Sequence, residues 1–150
     1  MAINLSSTQI HDISSALLSE GRTHEKWKID TITIDGDSLH AVVSMVSTYV
    51  SPTDTNGFHL SVFTTLEFLS QLKVIYAHHW AGIEKKTQEA WMLESNVKCI
   101  KAIRDSNKIN VTMKIIKAKM VKGRIYCVTQ STVTDDLGGH FEVTLKSFLS

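Results

Sequence analysis

At 150 residues and a formal net charge of +1, the chain is long enough to bury one full hydrophobic core and needs no staples. A balance so near neutral, in an ordinary composition, excludes a global pull toward nucleic acid or an anionic membrane, and neither partner is expected. One domain spanning residues 1–150 is predicted. The two cysteines, Cys99 and Cys127, lie in separate strand-like segments without metal-ligand spacing and read as small core residues of a reduced protein. No basic stretch followed by an apolar run opens the sequence, and no segment holds the roughly 18 uninterrupted apolar residues of a membrane span. The expected location is the cytoplasm.

In chain order, residues 7–18 carry Ile10, Ile13, Leu17 and Leu18 at helical spacing, with Gly21 as a stop. They predict a short amphipathic helix packed on a sheet. Residues 29–34 alternate as a strand, Asp35-Gly36-Asp37 makes a turn, and the return strand runs to about Val50 with apolar residues at both parities. After the loop SPTDTNG (51–57) comes the one long helical pattern, residues 58–82. Its apolar side chains, among them Phe63, Leu66, Leu69, Leu72, Ile75 and Tyr76, cover most of the circumference. A helix apolar nearly all round is a buried helix. Thr64, Glu67, Gln71 and His78 form a narrow polar stripe along it. Beyond Gly82 the period changes to two, with strands predicted over 90–104, 109–119, 125–134 and 141–149.

This order, helix, two strands, long buried helix, four antiparallel strands, predicts an α+β fold in which an antiparallel sheet wraps around one long central helix. That arrangement is the hotdog fold. A generic α+β sandwich with the helix on one face is the alternative.

Three stretches carry a family resemblance. Thr48-Tyr49-Val50 followed by Asn56-Gly57-Phe58-His59 and the helix up to Gln71, the strand over residues 90–104, and Gly138-Gly139-His140-Phe141-Glu142-Val143 together resemble the FcoT-like acyl-CoA thioesterase family, a hotdog branch. The resemblance implies a tyrosine of the active site at Tyr49. It places Ser61 and Ser70 where the family has two helix-side asparagines, and the loop after Tyr49 is about four residues longer than the family's. A second, local likeness joins Glu67-Phe68-Leu69-Ser70-Gln71 to the Glu-x-x-x-Gln step of β-hydroxyacyl-ACP dehydratases. The loop histidine that works with that glutamate is missing at the matching position, where Thr53 stands.

The candidate chemistry centres on Glu67. A carboxylate on an apolar helix can attack a thioester carbonyl or activate water, and burial would suit it to acid–base work; the plainer reading is a carboxylate paired with a neighbour such as Lys73. Asn56, Gly57 and His59 precede the helix, where free backbone N–H groups and the helix dipole can polarise a carbonyl, or they are simply turn residues. Tyr49 can donate to the same oxygen or serve as core. Gln71 can orient Glu67, and Ser61 and Ser70 can contact substrate. His78-His79 lacks metal-site spacing, so no metal or cofactor is expected and a solvated or capping role near the helix end is preferred. Lys114, Lys117, Lys119, Lys122 and Arg124 form an acid-free basic segment that can meet coenzyme A phosphates or an acidic carrier protein, or guard a sheet edge. The reading is a homo-oligomeric thioesterase acting on acyl-CoA or acyl carrier protein. A dehydratase and a non-catalytic acyl-binding subunit are its alternatives.

Overall fold

The computed structural model describes residues 1–54 and 56–150. Two short helices, α1 (Ser7–Ile13) and α2 (Ala16–Ser19), and a 3-10 turn (Gly21–His24) lead into strands β1 (Lys26–Asp35) and β2 (Ser38–Ser47). The long helix α3 (Val62–Trp80) follows, then β3 (Ala90–Lys101), β4 (Ile109–Val121), β5 (Arg124–Thr134) and β6 (His140–Leu149). All strand pairs are antiparallel, in the order β1-β2-β4-β5-β6-β3. This single curved sheet wrapped around α3 is the hotdog fold.

The wrapping follows from the helix. Phe68, Leu69, Leu72 and Tyr76 of α3 are buried against Leu39 and Val43 of β2, Val111 and Met113 of β4, and Val143 and Leu145 of β6. A second cluster joins Val74 and Ala77 to Ile125, Cys127 and Leu149. On β5 and β6 every second side chain points to the helix, the period expected of a sheet with one buried face. Tyr76 donates its hydroxyl to the Gly36 carbonyl at 2.7 Å and pins the C-terminal part of α3 to the β1–β2 turn. Gly36 holds φ +59°, which an L side chain resists.

Three expectations are corrected. The first predicted helix is two pieces, because Ser14 adopts an extended backbone (φ −67°, ψ 150°) after α1. It packs on no sheet: Ile10, Ile13 and Leu18 are exposed. The central helix starts at Val62 rather than residue 58, since Ser61 caps it by accepting from the Thr64 N–H at 3.1 Å. Cys99 is not a core residue; it lies exposed on the edge strand β3, whereas Cys127 is buried. No helix among the described residues is long and apolar enough to cross a membrane.

The β5–β6 connection is held by one carboxylate. Asp135, only 7 % exposed, accepts from the backbone N–H groups of Arg104 (2.7 Å), Asp105 (3.0 Å), Leu137 (3.0 Å) and Gly139 (2.6 Å). Burial alone pushes this carboxyl up, but the four donors outweigh it and hold it below its ordinary value of 3.8. A carboxylate with a depressed folded pKa adds stability that is fully present above the unfolded value and is lost as pH falls through the folded one. Asp135→Asn is therefore expected to lower the melting temperature at pH 7. It should also flatten the loss of stability below about pH 4, read from thermal melts at a series of acid pH values. Equal melts for the two proteins throughout would refute the role.

Candidate active site

The residues singled out from sequence fall into two groups. The first lies on the one face of α3 that the chain's own sheet leaves open. Phe63, Glu67 and Gln71, spaced four apart, are exposed along it. They border a cavity of about 580 Å³ with Arg22, Trp27, Leu66, Ser70, Val74, Glu89 and Ala90. A further cavity of about 600 Å³ shares Gln71 and Val74 and continues toward Ile75, His79 and Ile83. The two form one groove along α3. The second group lies around the helix entry, where Tyr49, Gly57 and His59 line a separate cavity of about 250 Å³ with Glu25, Ser51 and Asp54.

The polar stripe expected along α3 is therefore not one environment. Thr64 is buried and donates to the Glu25 carboxylate at 3.0 Å. Glu67 is 47 % exposed rather than buried, and its partner is Arg22 at 3.5 Å, not Lys73. His78 is buried; its Nδ1–H donates to the Val74 carbonyl at 2.7 Å, while Nε2 accepts from the Thr87 and Gln88 N–H groups. His78 thus ties the segment after the helix to its last turn, the capping rather than the solvated of the two roles expected for it. The stripe divides because the chain covers its two ends and leaves its middle open.

Arg22 was not legible as a site residue. It sits in the 3-10 turn, 45 positions before Glu67 in sequence, and only the tertiary fold joins them. Its guanidinium stacks 4.8 Å above the Phe63 ring and meets Glu67 through Nη2. Nη1 is buried and has no acceptor among the described residues. An orphaned donor of this kind costs roughly 1–3 kcal/mol unless a ligand supplies the acceptor. The turn that carries Arg22 can sit there only because residue 21 is glycine: a Cβ on Gly21 would overlap the Tyr49 ring. One close contact thus fixes Tyr49 and Arg22 together.

In the second group His59 faces Asp54 through Nδ1 at 3.3 Å, a pairing across five residues that has no sequence signature. Glu25 is buried beside it. The Ser61 hydroxyl is occupied by the Thr64 cap. Asn56 is exposed, and its backbone N–H donates to Asp54. Ser70 is half-buried and reaches both the Glu67 cavity and a small void beside Lys73. Within one chain Glu67, Ser70 and Gln71 are brought together, as are Tyr49, Gly57 and His59; the two sets do not share a cavity. Among the described residues no three His, Cys, Asp or Glu side chains gather as a metal would require.

No family model matches the sequence, and no curated protein is similar to it in sequence. Comparison with solved structures returns many of the same fold. A hypothetical thioesterase protein of Streptococcus pneumoniae, solved with coenzyme A, is 16 % identical at a TM-score of 0.53, over 83 % of this chain and 89 % of its own. A Streptococcus mutans protein bound to acetyl-CoA is 13 % identical at a TM-score of 0.56, over 82 % and 89 %. A thioesterase of Haemophilus influenzae is 12 % identical at a TM-score of 0.53, over 99 % and 92 %. At such identities the likeness establishes the hotdog fold.

Lys73 is the most enclosed ionisable group beside this site. It is 1 % exposed and donates from Nζ to the Leu145 carbonyl at 2.8 Å. Burial lowers its pKa to about 8, against a smaller opposing effect of the Cys127 thiol. A lysine with a depressed folded pKa opposes folding while charged. Stability should therefore rise as pH climbs from about 8 to the ordinary value of 10.5. Lys73→Met is expected to be at least as stable as the parent at pH 7 and to lack that alkaline rise in chemical denaturation. A rise of equal size in both proteins would show that Lys73 does not cause it.

Proposed function

We propose that the chain is an acyl thioester hydrolase acting on fatty acyl-CoA or acyl-carrier-protein substrates, working as a homo-oligomer. The observation that carries this reading is the Glu67–Arg22 pair at the mouth of a largely apolar groove along the central helix of a hotdog fold. From Phe63 to His79 the groove follows about 24 Å of helix at 1.5 Å per residue, long enough for an extended fatty acyl chain. Coenzyme A and acetyl-CoA in two structures of the same fold agree with a thioester of this class. The fold likewise agrees with the FcoT-like resemblance, which has no sequence-family match behind it.

In this mechanism Glu67 attacks the thioester carbonyl or removes a proton from the attacking water. Arg22 pairs with the carboxylate, and its guanidinium is the nearest cation to an oxygen gaining negative charge. Water adds to the carbonyl carbon, the C–S bond breaks, and the thiol leaves protonated beside the free acid. Tyr49, Gly57 and His59 line a different cavity from Glu67 within their own chain. A second copy paired along β3 would bring its Tyr49 and His59 to the opposite side of the cleft. β3 is one of the two edge strands of the sheet, with β1 at the other end, and it exposes Met92, Leu93 and Ile100. Such an edge invites a partner strand. Both cysteines are free, in keeping with a reducing cytoplasm.

A panel of saturated and β-hydroxyacyl thioesters tests the reading. Free thiol and fatty acid are the expected products; a conjugated enoyl thioester would mark a dehydratase, and thermal stabilisation without turnover an acyl-binding subunit. Glu67→Gln is expected to fold, assemble and bind, and to lose at least about 10² in turnover. Tyr49→Phe should cost about 10² in turnover with little change in melting temperature. Near-normal turnover of Glu67→Gln with a lowered melting temperature would remove the catalytic role, and a protein sedimenting only as a monomer at micromolar concentration would remove the composite cleft.

A further inference from the structure

The face of the sheet turned away from α3 carries a row that the groove and its chemistry do not use. The strand registers place Trp91 of β3 opposite Phe148 of β6, Phe148 opposite Tyr126 of β5, and Tyr126 opposite Lys119 of β4. Four adjacent strands thus contribute one residue each to a straight line across the sheet. Tyr126 and Phe148 are flanked by the buried residues Ile125, Cys127, Ser147 and Leu149 and so point outward. Their rings lie 5.3 Å apart. Trp91 is 63 % exposed, an unusual state for so large a ring on a sheet face. Lys117 and Lys119 approach the Tyr126 ring at 5.8 and 5.6 Å. Among the described residues neither is ion-paired, whereas the nearby Lys146 is paired with Glu94.

We infer that this aromatic row with its unpaired lysines is a platform for a single-stranded nucleic acid, independent of the thioester chemistry. Three rings on adjacent strands about 4.8 Å apart offer a stacking surface some 10 Å wide, enough for two or three successive bases. The cations continue through Lys114, Lys122 and Arg124, a segment without a single carboxylate from 114 to 124, and track a phosphate backbone. The local charge thereby departs from the expectation drawn from the net charge of +1. A small nucleotide is a poorer fit, since the row is open and flat where small ligands take concave pockets. A second copy stacked on this patch would bring like charges together, and an acidic protein would satisfy the lysines while leaving the ring faces unfilled.

The test is fluorescence anisotropy of a labelled uridylate oligomer of about 12 nucleotides at about 50 mM salt. Micromolar binding is expected, weakened about tenfold or more by Trp91→Ala. Lys117→Gln and Lys119→Gln should each reduce the salt slope by about 0.7, with melting temperatures unchanged. No binding at 100-fold higher protein than the expected midpoint (about 100 μM) would overturn the proposal. So would binding indifferent to Trp91→Ala and displaced equally by polyglutamate, which would make the patch a charge surface for acidic protein. Adenosine 3′,5′-bisphosphate binding at Trp91 in place of the oligomer would assign a small nucleotide instead, and a shift in sedimentation caused by Trp91→Ala would assign a subunit contact; either result overturns it.

Discussion

Everything in this molecule depends on the need to bury α3 on nearly every side. Phe68, Leu69, Leu72 and Tyr76 face one part of the sheet, Val74 and Ala77 another. A flat sheet covers one side of a helix; only a strongly curved one reaches both clusters. The same requirement explains the enclosed Lys73, whose position on the helix leaves it no path to water and whose ammonium settles on the Leu145 carbonyl. It also explains the groove, because the line Phe63, Glu67, Gln71 is what the sheet cannot reach.

The segment before β1 completes the lining of the Glu67 cavity. Its helices bury nothing of their own, yet the 3-10 turn that follows them packs Gly21 on Tyr49 and delivers Arg22 to Glu67. A guanidinium held by one carboxylate and one aromatic ring is fixed in place beside the Glu67 cavity. The separation of Glu67 from the Tyr49 and His59 cavity has a geometric cause. Six residues of helix between Ser61 and Glu67 advance about 9 Å along the axis and turn away from the entry loop.

The two faces of the sheet are distinct in chemistry. Toward α3, β5 and β6 present apolar side chains interrupted by Thr129, Ser131 and Ser147, whose buried hydroxyls have no partner among the described residues. Away from it, the end of the sheet formed by β3, β6, β5 and β4 is aromatic and basic. A near-zero net charge conceals this segregation, although Glu94 shares the outer face through its pair with Lys146.

The sequence by itself determined the element order, the six strands within a few residues, the single long helix and hence the hotdog fold, because periods of 2 and 3.6 are local properties of the chain. It marked Glu67 and Gln71 as neighbours on one helix face for the same reason. It misjudged the first helix, where Ile10 and Ile13 keep helical spacing but find nothing to pack on, and it misplaced Cys99, because alternation cannot tell an edge strand from a central one. The partners of the site residues were decided only by the tertiary structure. Arg22 beside Glu67 and Glu25 beneath Thr64 join positions about 40 residues apart through the packing of the 3-10 turn on α3, and the row from Trp91 to Lys119 exists only once strand register aligns four segments. Long-range juxtaposition leaves no periodic trace in a sequence, so it is written in the fold alone.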